Sequence, residues 1–474
     1  MIDLKTYFST QIEGRNGQLF YTGADGAASL LNYYTAGISP AAVQSWRATF
    51  ARRGRELARR GIPYHVVIVP GAHVACGDDL PDALRGTIKA PFPELAAVME
   101  GVPGVTLHDA LPDLVVDDPP YRTYRRNDTH WTDYGAYLSY RAVCRRVAED
   151  VPVRMVASED VNVEMKDAFG DLSIHRVPEG APEPIPLIKI GRRHRARLVQ
   201  KNTTVVRNRF IRMESDTAPP TLALFFHDSY ATAQAKFWAR SFGRTAFAGV
   251  SHRVYLDAVD RDRPDVVFTI MAEHRLFQKP NDHDHWTFAD DFESDCASAA
   301  GVRTAEILVL YRQQRLAEAA ERAVGLADLA GFGAYHARVA AQVTVSVHRY
   351  DDAVALSRIA LSLDPQSPSH LWMAAYASLY AGQADEAVTL ATWAVGQDPQ
   401  NGAWAELLAS ALIGLGRWDD AALLLENTIL RIDDHPALWR HLAHVRDMRG
   451  DPVGRDAAQA VLTLLDGPPP RLDA

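Results

Sequence analysis

A chain of 474 residues with 47% hydrophobic and 23% charged side chains is long enough for two domains that each bury a core. Its 59 Asp and Glu against 50 Lys and Arg leave a net charge of −9, and with no base-stacking module this excludes nucleic acid as the expected partner. No stretch reaches the ~18 consecutive apolar residues of a membrane helix. Cys76, Cys144 and Cys296 are too few and too scattered for a disulfide framework or a cysteine-rich zinc site.

Taken from the N-terminus, Met1 to Phe8 hold no apolar signal core, so the expected location is cytoplasmic with no direct membrane span. Tyr64 to Val69 read as a buried strand closed by Pro70, with His73 on the loop beyond it. In Asp128-Thr129-His130 a carboxylate and an imidazole stand two residues apart. In an extended segment residues i and i+2 share a side, so Asp128 can accept from one ring nitrogen while the other faces a reacting hydroxyl. Between Lys189 and Arg212, seven further Arg and Lys alternate with apolar residues, the pattern of an edge strand or hairpin guarded by charge.

Thr221 to Phe226 form a short apolar run, a second buried strand, and Tyr230 to Phe242 form a helix-like segment without proline. Ser229 therefore stands on a strand-to-helix turn, where free backbone N–H groups can meet an oxyanion. Asp265 to Met271 read as a third strand, with Glu273 and Arg275 at its C-terminal end, as suited to a surface ion pair as to a site. Asp282-His283-Asp284-His285-Trp286 has metal-ligand residue types, but adjacent ligands on a loop rarely converge on one ion, so no metal is expected. Taken singly these fragments are common, since Asp-x-His also caps helices and Asp-Ser also makes turns. There is no phosphate loop, HExxH or dinucleotide fingerprint, and no cofactor is expected.

As an ordered set the fragments resemble the SGNH hydrolase-like domain of the alginate O-acetylation proteins. The set runs from Ile12-Glu13-Gly14-Arg15-Asn16-Gly17-Gln18-Leu19-Phe20 through the strand ending in Pro70, Asp79-Leu80-Pro81 and Asn127-Asp128-Thr129-His130-Trp131-Thr132. It continues with Phe169-Gly170-Asp171-Leu172 and His227-Asp228-Ser229-Tyr230, and closes with Arg263-Pro264-Asp265 running to Glu273-His274-Arg275. Asp-x-His-Trp is its most specific piece. The resemblance implies Ser229 as nucleophile, His130 as general base and Asp128 as its orienting acid, with the Asp-His pair ahead of the Ser in the chain. His227 replaces the family's usual small residue, and no Gly and Asn elements complete the oxyanion hole. His227, Asp228, Trp131, His73, Glu273 and Arg275 are the further candidates for lining the site. The resembled family is commonly periplasmic.

The last third of the chain repeats every 34 residues. Asp351, Asp385 and Asp419 recur at that spacing, as do Ala319, Ala353, Ala387 and Ala421, and Gly382, Gly416 and Gly450. This is the tetratricopeptide pattern of paired antiparallel helices, in which a small residue permits close packing and Asp364-Pro365 and Asp398-Pro399 punctuate the pairs. From Gly301 onward 21 Asp and Glu oppose 14 Arg and no Lys, a net of −7, which favours a basic protein partner.

The expected architecture is an α/β domain of SGNH hydrolase-like type over residues 1–280, a mostly parallel sheet with flanking helices. A linker over 281–301, an all-α tetratricopeptide solenoid over 302–466 and a tail over 467–474 follow. The expected function is O-acetyl transfer to a carbohydrate or polysaccharide acceptor from an acyl donor or acyl-carrying protein, with the repeats recruiting a protein partner. A carbohydrate acetyl esterase is the nearest alternative. A catalytically vestigial assembly factor of a polysaccharide-modification system is the alternative from another class.

Overall fold

The computed structural model describes residues 11–23, 29–173, 182–202, 209–278, 298–397 and 401–466, together with 280, 282, 288, 292 and 399. The proposed tail and residues 283–286 of the Asp-His string lie outside the described residues. Backbone proximity divides the described residues into two compact units, one of those up to 201 and from 210 to 280, the other of 202, 209 and those from 282 to 466.

The first unit opens with a small hairpin of β1 (Gln11–Glu13) and β2 (Leu19–Tyr21). Its main sheet uses β3 (Tyr64–Val69), β4 (Thr106–Asp109), β7 (Arg197–Lys201), β8 (Phe210–Glu214), β9 (Leu222–His227), β10 (Arg244–Ala248) and β11 (Val266–Ala272). Their order across the sheet is β4-β3-β11-β9-β10-β8-β7. The first five are parallel, and β8 and β7 join antiparallel at one edge. A separate ribbon pairs β5 (Val161–Ala168) with β6 (Glu183–Ile190). The central strands β3 and β11 are buried at every residue, the signature of parallel strands covered on both faces and the reason their sequences lack alternation.

The basic segment supplies the antiparallel edge pair of β7 and β8, and every residue of β7 is exposed. Its charges are largely spent on ion pairs such as Arg195–Asp216 and Arg197–Glu214. Helices α1 (Ser29–Ala36) and α2 (Pro40–Arg59) precede β3, with Ser39 capping α2 by accepting from the Ala42 N–H. The short α3 (Ala72–Ala75) follows β3, α4 (Phe92–Met99) precedes β4, and α5 (Leu111–Leu114) follows it. Then come α6 (Asp133–Val147), α7 (Ala231–Trp238) and α8 (Leu256–Asp262). Helix α7 is shorter than the 230–242 segment expected. After Trp238 the N–H groups of Arg240 and Ser241 turn back to Phe237 and Trp238, tightening the chain toward Gly243, whose own N–H is held by the Pro219 carbonyl.

The second unit is an array of helix pairs. First helices begin at Ala334, Pro368, Gly402 and Pro436, each 34 residues after the last. Ala319, Ala353, Ala387 and Ala421 are fully buried between helices. Asp351, Asp385 and Asp419 lie in the first turns of second helices, where a negative charge complements the helix dipole. The recurrent glycines differ from the expectation of close packing. A Cβ at Gly382 or Gly450 would meet nothing within 4 Å, and Gly382, Gly416 and Gly450 have φ of 78°, 68° and 73°. They suit a left-handed turn between the helices of a pair, a conformation glycine adopts without strain. One and two repeats earlier the same turn is taken by His348 (φ 61°) and Gln314 (φ 59°). Trp372 and Trp404 are buried in the array, and Trp439 donates to the Asp433 carbonyl, so all three serve packing. Among the described residues no helix is long and apolar enough to cross a membrane.

Candidate active site

Three strand ends meet at the C-terminal edge of the first unit's sheet, those of β3, β11 and β9, which are neighbours in that order. Beyond β9 the turn Asp228-Ser229-Tyr230 is stapled down by Asp228. One carboxylate oxygen accepts the Tyr230 N–H at 3.1 Å and the other the Ala272 N–H at 2.7 Å, while the Asp228 N–H reaches the Ile270 carbonyl. Burial pushes the Asp228 pKa up, although both amides oppose it. Asp228 therefore shapes the turn, and Ser229 stands exposed at its crest.

His130 arrives on a loop rather than the extended segment expected. Tyr124 and Trp131 pair as an antiparallel bridge, and residues 125–130 bend between them. Within that loop Asp128 Oδ1 accepts from both the backbone N–H of His130 (3.0 Å) and its ring Nδ1 (2.8 Å). Asp128 Oδ2 accepts from Arg125 Nη1 (2.6 Å) and from the Asp171 N–H (3.1 Å). His130 Nε2 lies 2.7 Å from Ser229 Oγ. Burial opposes ionisation of both partners, yet their mutual attraction outweighs it. Asp128 is held down to about 2 by the His130 hydrogen bond and the Arg125 guanidinium, and His130 is raised by Asp128, with Asp171 and Asp228 adding to it.

The fragments that were weak singly hold one another in place. Asp171 Oδ1 accepts the Thr129 N–H and its Oδ2 the Thr129 hydroxyl, while the Leu172 N–H reaches the Asn127 carbonyl. A Cβ on Gly170 would stand 1.9 Å from that carbonyl oxygen, so only glycine lets the two loops close. Thr132 ends the motif by capping α6 through the Gly135 N–H. Tyr230, next to the serine, donates to the Thr129 carbonyl at 2.6 Å, and its ring lies against that of His130.

Residues 12–174 match the family model described as the SGNH hydrolase-like domain, acetyltransferase AlgX, and residues 378–445 match that of the tetratricopeptide repeat. The chain carries an AlgX-type SGNH hydrolase-like domain and tetratricopeptide repeats. The first match contains Asp128, His130 and Asp171 and ends before Ser229. No curated protein sequence matches the chain. Among solved structures, PatB1 of Bacillus cereus is 15% identical with a TM-score of 0.42, covering 57% of this chain and 99% of its own. The O-acetyltransferase domain of Pseudomonas putida AlgJ is 18% identical with a TM-score of 0.38, covering 57% and 93%. For the repeats, MamA of Desulfovibrio magneticus RS-1 is 14% identical with a TM-score of 0.33, covering 35% and 94%.

In the first unit Ser229 and His130 open onto a cavity of about 480 Å³, walled also by Tyr34, His73, Asp171, His274 and Arg275. Of the other expected site residues, His73 lines the cavity. It is buried, and burial lowers its pKa to about 4. Trp131 and His227 do not line it, which corrects that expectation. Trp131 is buried with its N–H on the Tyr230 carbonyl, and His227 faces Phe247, its Nδ1 2.7 Å from the Asp228 carbonyl oxygen. Glu273 and Arg275 do not form a surface ion pair. Glu273 is 1% exposed beneath the cavity, and Arg275 lines it with Nε buried and without a hydrogen-bond partner among the described residues. Asp171, Tyr34 and His274 were not singled out as site residues. Asp171 lay in plain view in the Phe169–Leu172 piece, whereas nothing local marks Tyr34 or His274.

Asp128, His130 and Asp171 offer ligand atoms within 4.8 Å of one another. All four of the carboxylate oxygens already accept N–H or O–H donors, and one carries a guanidinium at 2.6 Å. That donor set suits an oriented imidazole better than a cation. Chemically the arrangement can draw the Ser229 proton onto His130 while Asp128 neutralises the imidazolium.

Proposed function

We propose that this protein is a serine-dependent O-acetyltransferase acting on a carbohydrate hydroxyl, with Ser229 as nucleophile, His130 as general acid and base, and Asp128 as the orienting acid. The observation that carries the reading is the continuous line of hydrogen-bonding distances from Asp128 Oδ1 through His130 to Ser229 Oγ, in a chain with an AlgX-type domain. His130 Nε2 takes the Ser229 proton as Oγ attacks the acetyl carbonyl, and returns it to the departing donor group. The sugar hydroxyl then gives its proton to His130 and attacks the acetyl-serine ester, and collapse restores the Ser229 hydroxyl with that proton. The tetratricopeptide repeats recruit a protein partner, and their acidic surplus favours a basic one.

The test is incubation with an activated acetyl ester and intact-mass detection of acetyl on Ser229. Wild type should acetylate and Ser229→Ala should not. Equal labelling of the two would overturn the triad and favour the vestigial assembly factor. Because Ser229 is exposed, water can also reach the acyl-enzyme, which favours acetyl-ester hydrolysis as the second reading. Adding an oligosaccharide acceptor separates them, since a transferase moves acetyl to the sugar and an esterase yields acetate alone.

A further inference from the structure

Beneath the cavity lies a carboxyl group that the proposed reaction does not use. Glu273 follows β11, which runs between β3, whose end leads into Gly71, and β9, whose end leads into Ser229. Its Oε1 accepts two hydrogen bonds, from the Gly71 N–H at 2.8 Å and from the Tyr34 hydroxyl at 2.9 Å. Both partners are walls of the cavity. No ion pair reaches Glu273 among the described residues, although leaving an acid unpaired at 1% exposure is costly.

The contacts around it are tight. A Cβ on Gly71 would lie 2.6 Å from the Tyr34 hydroxyl and 3.6 Å from Glu273 Oε1. The Tyr34 ring stacks on His73 at 4.8 Å, and together with the Phe20 ring and a hydrogen bond to the Tyr21 backbone it holds the imidazole. With its N–H given to Glu273, Gly71 is not a free oxyanion donor.

We propose that Glu273, acting through Gly71 and Tyr34, is the positioning residue that fixes the Gly71–His73 wall of the Ser229 cavity. The inference rests on the acyl-transfer reading of that site. The titratable groups facing Glu273 are Tyr34 on α1, Asp109 at the end of β4, and Tyr124 and Tyr230, with His274 and Arg275 next in its own segment. Burial, aided by Asp109 and opposed by the two hydrogen bonds, raises the Glu273 pKa to about 8. The wall is therefore built on a neutral acid at pH 7, and ionisation places a negative charge under the site where an oxyanion must form. Turnover should fall on the alkaline side as Glu273 loses its proton.

The experiment measures turnover of a chromogenic acetyl ester between pH 6 and 10 for wild type, Glu273→Gln, Glu273→Ala and Tyr34→Phe, with Ser229→Ala as control. Glu273→Gln should lose the alkaline limb and retain more activity than Glu273→Ala, which should lose about 10²-fold in kcat through a misplaced wall. Tyr34→Phe removes a donor to the carboxylate and should move the limb to higher pH. An alkaline limb unchanged in Glu273→Gln would overturn the proposal. Should Ser229→Ala equal wild type, the acyl-transfer reading falls on its own. Glycine-labelled NMR then still decides the contact, since the Gly71 amide must shift along the Glu273 titration and a flat Gly71 signal refutes it.

Discussion

Replacing Asp128 by Asn tests the core of the site, because four donors converge on its two oxygens. An amide has one acceptor oxygen and one NH2 group. However it is turned, NH2 faces either the His130 N–H and Nδ1 or the Arg125 guanidinium and the Asp171 N–H. Two donors lose their acceptor, at about 1–3 kcal/mol each where they are buried, so stability should fall by roughly 2–6 kcal/mol out of a typical 5–15 kcal/mol. Catalysis should fall further. Without the carboxylate the imidazole loses its tautomer and its counter-charge, and kcat for an acetyl ester should drop by about 10³–10⁴-fold. The pH profile carries a sign that misfolding would not produce. Asp128 raises the His130 pKa against the effect of burial, so its removal should lower that pKa and move the acid limb to lower pH. Chromogenic ester kinetics from pH 4 to 9, with urea unfolding of the same variant, measure both. A kcat within threefold of wild type and an unmoved acid limb would refute the reasoning and pass the orienting role to Asp171, whose Oδ2 lies 3.6 Å from His130 Nδ1.

Gly170→Ala should destabilise the first unit and abolish ester turnover, because the new Cβ would meet the Asn127 backbone at 1.9 and 2.3 Å and neither loop can yield; thermal unfolding and kinetics report it. Gln314→Gly should stabilise the helical array by about 1 kcal/mol, since Gln314 holds φ 59° where later repeats use glycine, and a lower urea midpoint would contradict this. Glu273→Gln should become more stable than wild type as pH rises. The folded pKa of about 8 against an ordinary 4.5 means that the stability Glu273 contributes is fully present below pH 4.5 and is lost by about pH 8, a loss on the order of 3–5 kcal/mol in total. Unfolding curves at pH 5 and pH 9 that give the same difference between the two proteins would exclude this. Residues 298–466 should fold alone, since each repeat packs on its neighbours, and a far-UV spectrum lacking helix would count against it.

Elements whose burial or turn chemistry is local were legible in the sequence. The strands at Tyr64–Val69 and Leu222–His227 announce themselves by continuous apolar runs, and the repeats by a period that survives in alanine, aspartate and glycine. Asp128 and His130 could be paired from the sequence because their contact spans two residues, although the backbone that achieves it is a bent loop with the Asp128 carboxylate on the His130 amide, not a strand. The reason assigned to the repeat glycines was wrong for a physical cause. Spacing reveals that a small residue recurs, whereas the sign of φ appears only in the folded turn, and His348 and Gln314 show that the turn, rather than the space, is what repeats.

Contacts that depend on strand order were not legible. Trp131 and His227 stand beside site residues in sequence, and adjacency suggested the cavity, yet Trp131 anchors the loop to the Tyr230 carbonyl and His227 lies against Phe247. Glu273 shows the opposite failure. Nothing in Glu273-His274-Arg275 distinguishes a buried acid from a surface one, because the groups that determine it, Gly71 and Tyr34, are 202 and 239 residues away. They meet only because β11 inserts between β3 and β9, bringing three loop ends from distant parts of the chain to one edge of the sheet. The same insertion places Glu273, whose pKa burial raises to about 8, beneath Ser229, and under the proposed acyl transfer His130 must be neutral to act, so the lower and upper limbs of the pH profile should belong to different residues. Glu273→Gln should remove the upper limb and leave the lower one, and Asp128→Asn should move the lower one and leave the upper. A single substitution that displaced both would mean that the two groups titrate as one coupled system, and the division of roles between the loop and the strand end would have to be abandoned.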